Sequence, residues 1–227
     1  TSNSDCETLL ALWARHGTAA VRQLRGMYAA ALYDPARDEG LLIRDPFGIK
    51  PLYICETGDG LFFASEIAAL RAIGLADAKP DPPHAACIID RQFAPDDLPA
   101  FPMIRRVAPG EMLIIRGGRI AERLADRPLE STLTDPVTPT IDLFEAQLHN
   151  AVEAHLMADV PLGLFFSGGV DSSAVLAALA DLRARDGRSE PILTYTVRFD
   201  RGGDDKTGLA ASLAVGEGAD FVDVPYG

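Results

Sequence analysis

Two architectures in series are predicted, an α+β half followed by an α/β half. Three observations predict them. Up to about residue 128, strand-length apolar runs alternate with turn residues. After about residue 139, helix-length and strand-length runs alternate regularly, the pattern of a parallel sheet with helices on its faces. Between them Ser, Thr, Pro and Asp dominate without apolar periodicity. The expected divisions are 1–128, a linker at 129–138, and 139–227.

The first half opens on a helix. Ser4 as N-cap with Glu7 three residues on reads as a capping box, and Cys6, Leu9, Leu10 and Trp13 recur at helical spacing. An end is expected near His16-Gly17. Four strand-length runs follow, Gly26–Tyr33, Gly40–Arg44, Lys50–Cys55 and Gly60–Ala64, each bounded by turn chemistry such as Asp-Pro or Gly-Asp-Gly. They are expected to form an antiparallel meander. A short helix from Ser65 to Ile73, a Pro-rich stretch around Lys79–Pro83, and a hairpin of Glu111–Ile115 with Arg119–Arg123 about Gly117-Gly118 complete this half.

In the second half the order is helix (about Thr140–Ala158), strand (Pro161–Phe166), helix (Ser172–Arg185), strand (Ile192–Phe199), helix (Asp205–Val215) and strand (Ala219–Val224). Three strands make a small sheet, and the chain opens on Thr1 without an initiator Met, so a larger protein is expected.

Composition narrows the function classes. A formal net charge of -12 and a pI near 4.7 argue against a nucleic-acid partner, because such affinity rests on basic side chains neutralising phosphates. Apolar stretches are broken within about ten residues, far short of the roughly 20-residue run that spans a bilayer, so no membrane segment is expected. Cys6, Cys55 and Cys87 are odd in number, far apart and set in apolar surroundings, with no metal spacing. They are expected to be reduced core thiols of a cytoplasmic protein. Small-molecule chemistry is favoured.

The segment Ser167-Gly168-Gly169-Val170-Asp171-Ser172-Ser173 carries that chemistry. A Gly pair at the carboxyl end of a strand lets the backbone turn tightly towards an anion, and the N–H groups opening the next helix point at it. Ser167, Ser172 and Ser173 add hydroxyl donors. Asp171 would repel phosphate unless Mg²⁺ lies between them, so Asp171 is assigned to magnesium. As a plain alternative, Asp171-Ser172 merely caps the helix. The loop lacks the Gly-Lys-Ser/Thr of the nucleoside-triphosphatase loop. It is expected to hold the β,γ-pyrophosphate of ATP as a leaving group, which directs attack to the α-phosphorus and produces an adenylate.

His155–Gly163 running into Phe165–Ser173 closely resembles the synthetase domain of glutamine-hydrolysing asparagine synthetases. Ser4-Asp5-Cys6-Glu7, Leu24–Ala29, Arg44–Tyr53 and Phe63–Ile67 resemble the class-II glutaminase domain of the same family, in the same order. The resemblance implies an Ntn-type αββα glutaminase domain followed by an adenine-nucleotide α-hydrolase-like (PP-loop) domain. It implies ATP and Mg²⁺, glutamine and aspartate as substrates, and allows a homodimer. Asp5 would bind the α-ammonium of glutamine, or serve only as an acidic residue in the first helical turn. Phe166, Ser167, Gly168, Gly169, Asp171, Ser172 and Val197 would contact the nucleotide and its pyrophosphate, although Phe166 stands where the family usually has an aliphatic residue. A class-II glutaminase uses an N-terminal Cys thiol with its own α-amine as base. Position 1 is Thr, so no catalytic nucleophile is assigned, and these 227 residues alone are expected to release no glutamate from glutamine. Two alternatives stand beside the asparagine reading: a related carboxylate-adenylating synthetase of the β-lactam synthetase or peptide cyclase type, and a non-catalytic binding protein.

Overall fold

The computed structural model describes residues 4–75, 79–95, 98–125, 138, 140–188, 190–199 and 207–226. The chain forms two compact units, Thr1–Pro136 and Val137–Gly227. Apart from Thr138, the expected linker lies outside the described residues.

In the first unit, helix α1 (Asp5–His16) begins at the N-cap Ser4 and stops at Gly17, whose φ of 57° only glycine adopts readily. The cap is shifted by one residue from the expected box. Ser4 Oγ accepts from the Cys6 N–H, while the Glu7 N–H bonds the Ser4 carbonyl at 3.1 Å. A 3₁₀ turn, Gly17–Gln23, follows and brings Ala20 and Val21 into the core.

The expected meander is instead two sheets. Strands β1 (Ala29–Asp34) and β2 (Glu39–Arg44) pair as a hairpin, as do β3 (Tyr53–Thr57) and β4 (Gly60–Ala64), but β2 does not pass its edge to β3. It pairs with β6 (Glu111–Arg116), which pairs with β7 (Arg119–Ala125), giving the order β1-β2-β6-β7. β3 lies between β4 and β5 (Ile104–Arg106) in the second sheet.

Side-chain alternation explains the stacking. Leu41, Ile43, Met112 and Ile114 pack with Val21, Leu9 and Trp13 beneath α1. Leu42 and Leu113, on the opposite face, meet Leu52, just before β3, and Ile54 of the second sheet. Cys55 and Ile104, on the far face of that sheet, pack with Leu70 of helix α2 (Ile67–Ala72) and with Phe101. The layers therefore run helix, sheet, sheet, helix. β2 reads as an almost continuous apolar run because both its faces are covered.

The link between the two sheets is a latch at Arg44 and Asp45, both buried. The Asp45 carboxylate accepts from the N–H groups of Phe47, Ile49 and Lys50 at 3.0–3.1 Å. The Arg44 guanidinium donates to the carbonyls of Gly48, Lys50 and Val107. Gly48 sits at φ +62°, where a Cβ would lie 2.9 Å from the Pro109 ring. These bonds close a tight loop that turns the chain out of β2 and across to β3.

Helix α3 (Pro82–Arg91) replaces the expected Pro-rich connector: Pro82 and Pro83 occupy its first turn, where a missing N–H costs nothing. The thiols are all free, but only Cys55 is a core group. Cys87 is partly buried, and Cys6 is exposed because it lies on the outer side of α1. Burial pushes the Cys55 thiol above its ordinary value.

A second buried charge ties β5, β6 and β7 together. Arg105 grips Glu111 with both terminal nitrogens at 2.7 and 3.2 Å, Arg123 adds a bond at 3.2 Å, and the Ala108 N–H a fourth at 2.8 Å. Burial alone would raise the Glu111 carboxyl, but Arg105, Ala108 and Arg123 outweigh it and hold it below the usual range. A lowered folded value stabilises the fold above the unfolded value near 4 and withdraws that stability as pH falls through the folded value. Glu111→Gln is expected to cost about 1.5–3 kcal/mol at pH 7 and to flatten the acid limb of melting temperature against pH below about 4. An unchanged acid limb in the variant would contradict this assignment.

In the second unit, helix α4 (Ile141–Ala154) starts at Thr140, whose Oγ1 accepts from the Leu143 N–H, and ends four residues short of the expected Ala158. Strand β8 (Gly163–Phe165), helix α5 (Val170–Arg185), strand β9 (Ile192–Phe199), helix α6 (Thr207–Gly216) and strand β10 (Ala219–Tyr226) follow. β9 pairs in parallel with both β8 and β10. The order is β10-β9-β8, and the core between sheet and helices is built from Phe166, Leu176, Ile192, Ala210, Ala214 and Ala219. Phe165 is 83% exposed, and among the described residues β8 is an edge strand with one face on the core. No described helix is long and apolar enough to cross a membrane.

Candidate nucleotide-binding loop

β8 delivers the chain to residue 167 with its backbone already fixed. The Phe166 N–H bonds the Tyr195 carbonyl at 2.8 Å, and its carbonyl accepts from the buried Thr196 hydroxyl. The Phe166 ring is 1% exposed and fills the core against Leu176 and Ala210. Of the nucleotide contacts expected from the sequence, this residue is the one the structure places inside. Its part here is to anchor the start of the loop.

Gly168 then takes φ +71°, and a Cβ on it would lie 3.2–3.3 Å from the backbone and Cβ of Ala210 on α6. The left-handed conformation calls for glycine, and the close approach to the α6 backbone adds to that preference. Gly169 is the N-cap of α5, and no side chain caps the helix. The helix starts two residues earlier than expected, so Asp171 and Ser172 lie within its first turn and do not form a cap before it. Its first bond is Ser173 N–H to the Gly169 carbonyl, 3.0 Å. The N–H groups of the opening turn therefore point out of the end of a 16-residue helix, where the peptide dipoles place partial positive charge.

The hydroxyls organise this opening. Ser172 Oγ bonds the Gly169 carbonyl at 3.1 Å, Ser167 Oγ and Ser172 Oγ are 3.2 Å apart, and Ser167 Oγ accepts from the Gly169 N–H at 3.4 Å. Asp171 is exposed beside them. Val197 is 44% exposed on β9. Since Phe165 pairs with Tyr195, the register sets Val197 level with Ser167, just past the carboxyl end of β8. Ser167, Gly168, Gly169, Asp171, Ser172 and Val197 thus converge on one end of the parallel sheet, where ligands of open α/β sheets bind.

Two supporting residues escaped sequence reasoning. Thr196 sits at a buried position of β9, where the available signal is a pair of threonines, Thr194 and Thr196, alternating on one face of an otherwise largely apolar strand. Ala210 determines the clearance over Gly168 and has no sequence signal beyond its size. Asp5, the expected glutamine contact, belongs to the other unit, in the first turn of α1, with the Ser4 hydroxyl 3.4 Å away.

Family models match both units: a glutamine amidotransferase domain over residues 1–124 and an asparagine synthase domain over residues 143–220. The chain belongs to the glutamine-hydrolysing asparagine synthetase family. A putative asparagine synthetase of Mycobacterium tuberculosis is 33% identical over 96% of this chain and 34% of its own length. Asparagine synthetase B of Escherichia coli is 33% identical over 81% of the chain and 28% of its own. A Gibberella zeae protein named amidase chry2 is 31% identical over 96% of the chain and 34% of its own length. The chain thus spans about a third of the length of the curated relatives it matches.

Proposed function

We propose that the protein of which these residues form part is an ATP-dependent amidotransferase. It adenylates the side-chain carboxylate of aspartate, then amidates it with ammonia released from glutamine, giving asparagine, AMP and pyrophosphate. The observation that carries this reading is the opening of α5: a glycine-shaped, side-chain-uncapped helix start ringed by Ser167 and Ser172, at the carboxyl end of a parallel strand. Its N–H groups and hydroxyls suit pyrophosphate, and the absence of a lysine at this loop fits a leaving group more than a phosphoryl donor. The geometry accommodates magnesium, because an exposed carboxylate at the mouth of an anion site needs a cation between it and phosphate. Asp171 would hold Mg²⁺, which would neutralise charge on the departing pyrophosphate. Gly168 and Gly169 bring the backbone close, Ser167 and Ser172 orient the phosphates, and Val197 borders the nucleotide.

For the first unit, the helix–sheet–sheet–helix layering and the match to a glutamine amidotransferase domain support an Ntn-type glutaminase, with Asp5 holding the α-ammonium of glutamine. The second unit is read as a PP-loop domain, and the protein as cytoplasmic. An acceptor other than aspartate is the second reading, favoured by the similarity to a relative named an amidase. Nucleotide products of the full-length protein test the proposal. AMP and pyrophosphate formed with aspartate are expected. ADP and phosphate would refute adenylation, and AMP formed only with another carboxylate would leave adenylation intact but replace the acceptor.

A further inference from the structure

Ser167 is held from outside the loop on both of its sides. Phe166, before it, lies one residue past the last paired residue of β8. Its N–H reaches the Tyr195 carbonyl, but among the described residues no backbone N–H reaches its own carbonyl. That carbonyl takes the Thr196 hydroxyl instead, in a bond between two buried residues. Gly168, after it, is set at φ +71° with Ala210 close against it. Ser167 is therefore clamped between two fixed points, and one of them is the hydroxyl of a neighbouring strand.

The consequence passes through the peptide bond. The group joining Phe166 to Ser167 is planar and trans, since no described peptide bond is cis. Holding the Phe166 carbonyl towards β9 directs the Ser167 N–H the opposite way, and among the described residues that N–H bonds no backbone carbonyl. The same clamp steadies Ser167 Oγ, which lies 3.2 Å from Ser172 Oγ and accepts from the Gly169 N–H at 3.4 Å. Without the Thr196 hydroxyl the buried carbonyl loses its donor. Turning the peptide plane relieves that cost, and the turn carries the Ser167 N–H with it.

We propose that Thr196 is a positioning residue of the pyrophosphate loop: by bonding the Phe166 carbonyl, its hydroxyl fixes the peptide plane that presents Ser167 to the ligand. The inference rests on the reading of this loop as a pyrophosphate site. Thr196 is buried and acts through Phe166, not on the phosphates themselves. Thr194, two residues earlier on the same face of β9, supplies the contrast. It is buried as well, but its hydroxyl bonds the Asp220 carbonyl of β10 at 2.9 Å, on the side of β9 away from β8 and the loop.

The test is calorimetric titration of magnesium pyrophosphate into the full-length protein, as wild type, Thr196→Val, Thr196→Ser and Thr194→Val. Thr196→Val keeps the volume of the side chain and is expected to weaken binding about tenfold, the scale of one hydrogen bond. Thr196→Ser restores the hydroxyl and should stay within about twofold of the wild type, as should Thr194→Val. Thr196→Ala replaces the Val variant if that one does not fold, with the same expectation. Melting curves on the same preparations separate the roles, because a hydroxyl that serves stability alone lowers the melting temperature and leaves the affinity of the folded protein unchanged. Equal affinity in Thr196→Val and Thr194→Val, or no rescue by Ser, would overturn the proposal. Aspartate-dependent exchange of pyrophosphate into ATP, run alongside, keeps this failure apart from that of the function. Exchange by the wild type with no difference among the variants removes only the role of Thr196. The expected affinity differences without exchange on any carboxylate remove adenylation and retain that role, and a wild type that binds no pyrophosphate removes both.

Discussion

Replacing Asp45 with Ala is expected to destabilise the first unit by about 3–5 kcal/mol, the largest stability effect of any single side chain in it. Asp45 is completely buried and accepts three backbone N–H bonds, from Phe47, Ile49 and Lys50. An orphaned donor costs about 1–3 kcal/mol where it is fully buried; these three bonds are part-buried, so water entry or loop relaxation recovers part of the sum. The same residue's backbone N–H and carbonyl bond Tyr28, Gly48 and Gly110, so the loop has little freedom to rearrange. Asp45→Asn should fall near half the Ala value. It keeps one oxygen for Phe47 and Ile49 but presents an amide donor to the Lys50 N–H. Burial raises the Asp45 carboxyl, but the three N–H groups and the nearby Arg44 charge more than reverse this and lower it overall. Its contribution is therefore complete above pH 4 and lost as pH falls through the lowered folded value, so the cost of Asp45→Ala should shrink in acid. Denaturant unfolding followed by fluorescence reports this directly, because the chain has a single tryptophan, Trp13, partly buried against the core of this unit. A cost below about 1 kcal/mol at pH 7 would show that the latch does not hold the two sheets in place.

The second large effect is on activity. Asp171→Asn in the full-length protein is expected to reduce adenylation at least about hundredfold, comparable to the loss of one preorganised charge-stabilising group in other active sites. Stability should stay within about 0.5 kcal/mol, because the side chain is exposed. Adenylation kinetics and a melting curve on the same preparation separate the two roles considered for this residue. A carboxylate that only improves the start of α5 would alter the melting curve and leave the rate nearly intact.

The legible parts of the sequence were those governed by local chemistry. The cap at Ser4, the stop at Gly17, the hairpin through Gly117-Gly118 and the β9 boundaries all follow from residues within one or two turns of each element. The strand–turn–helix around 167–173 was legible for the same reason, since two glycines, three hydroxyls and a following helix are contiguous. The split into two sheets was not, because β2 pairs with residues about seventy positions away and turn signals cannot indicate which edge a hairpin offers. Pro82-Pro83 looked like a connector because proline both breaks helices and begins them, and only the continuation to Arg91 distinguishes the two. Phe166 and Phe165 are neighbours of identical composition, yet one is core and the other is 83% exposed; which one turns inward depends on the pleat of β8 and the single face that is covered. The bond from the Thr196 hydroxyl to the Phe166 carbonyl spans 30 positions, so nothing in the linear pattern joined the two residues.

The central claim is that the opening of α5 holds the pyrophosphate of ATP while a carboxylate attacks the α-phosphorus. Its most direct measurement is exchange of labelled pyrophosphate into ATP by the full-length protein, with and without L-aspartate and without glutamine. Exchange that requires aspartate and Mg²⁺ and collapses in Asp171→Asn is the expected result. Aspartate-dependent exchange that persists at the wild-type rate in Asp171→Asn, or no exchange with any carboxylate, would contradict the account.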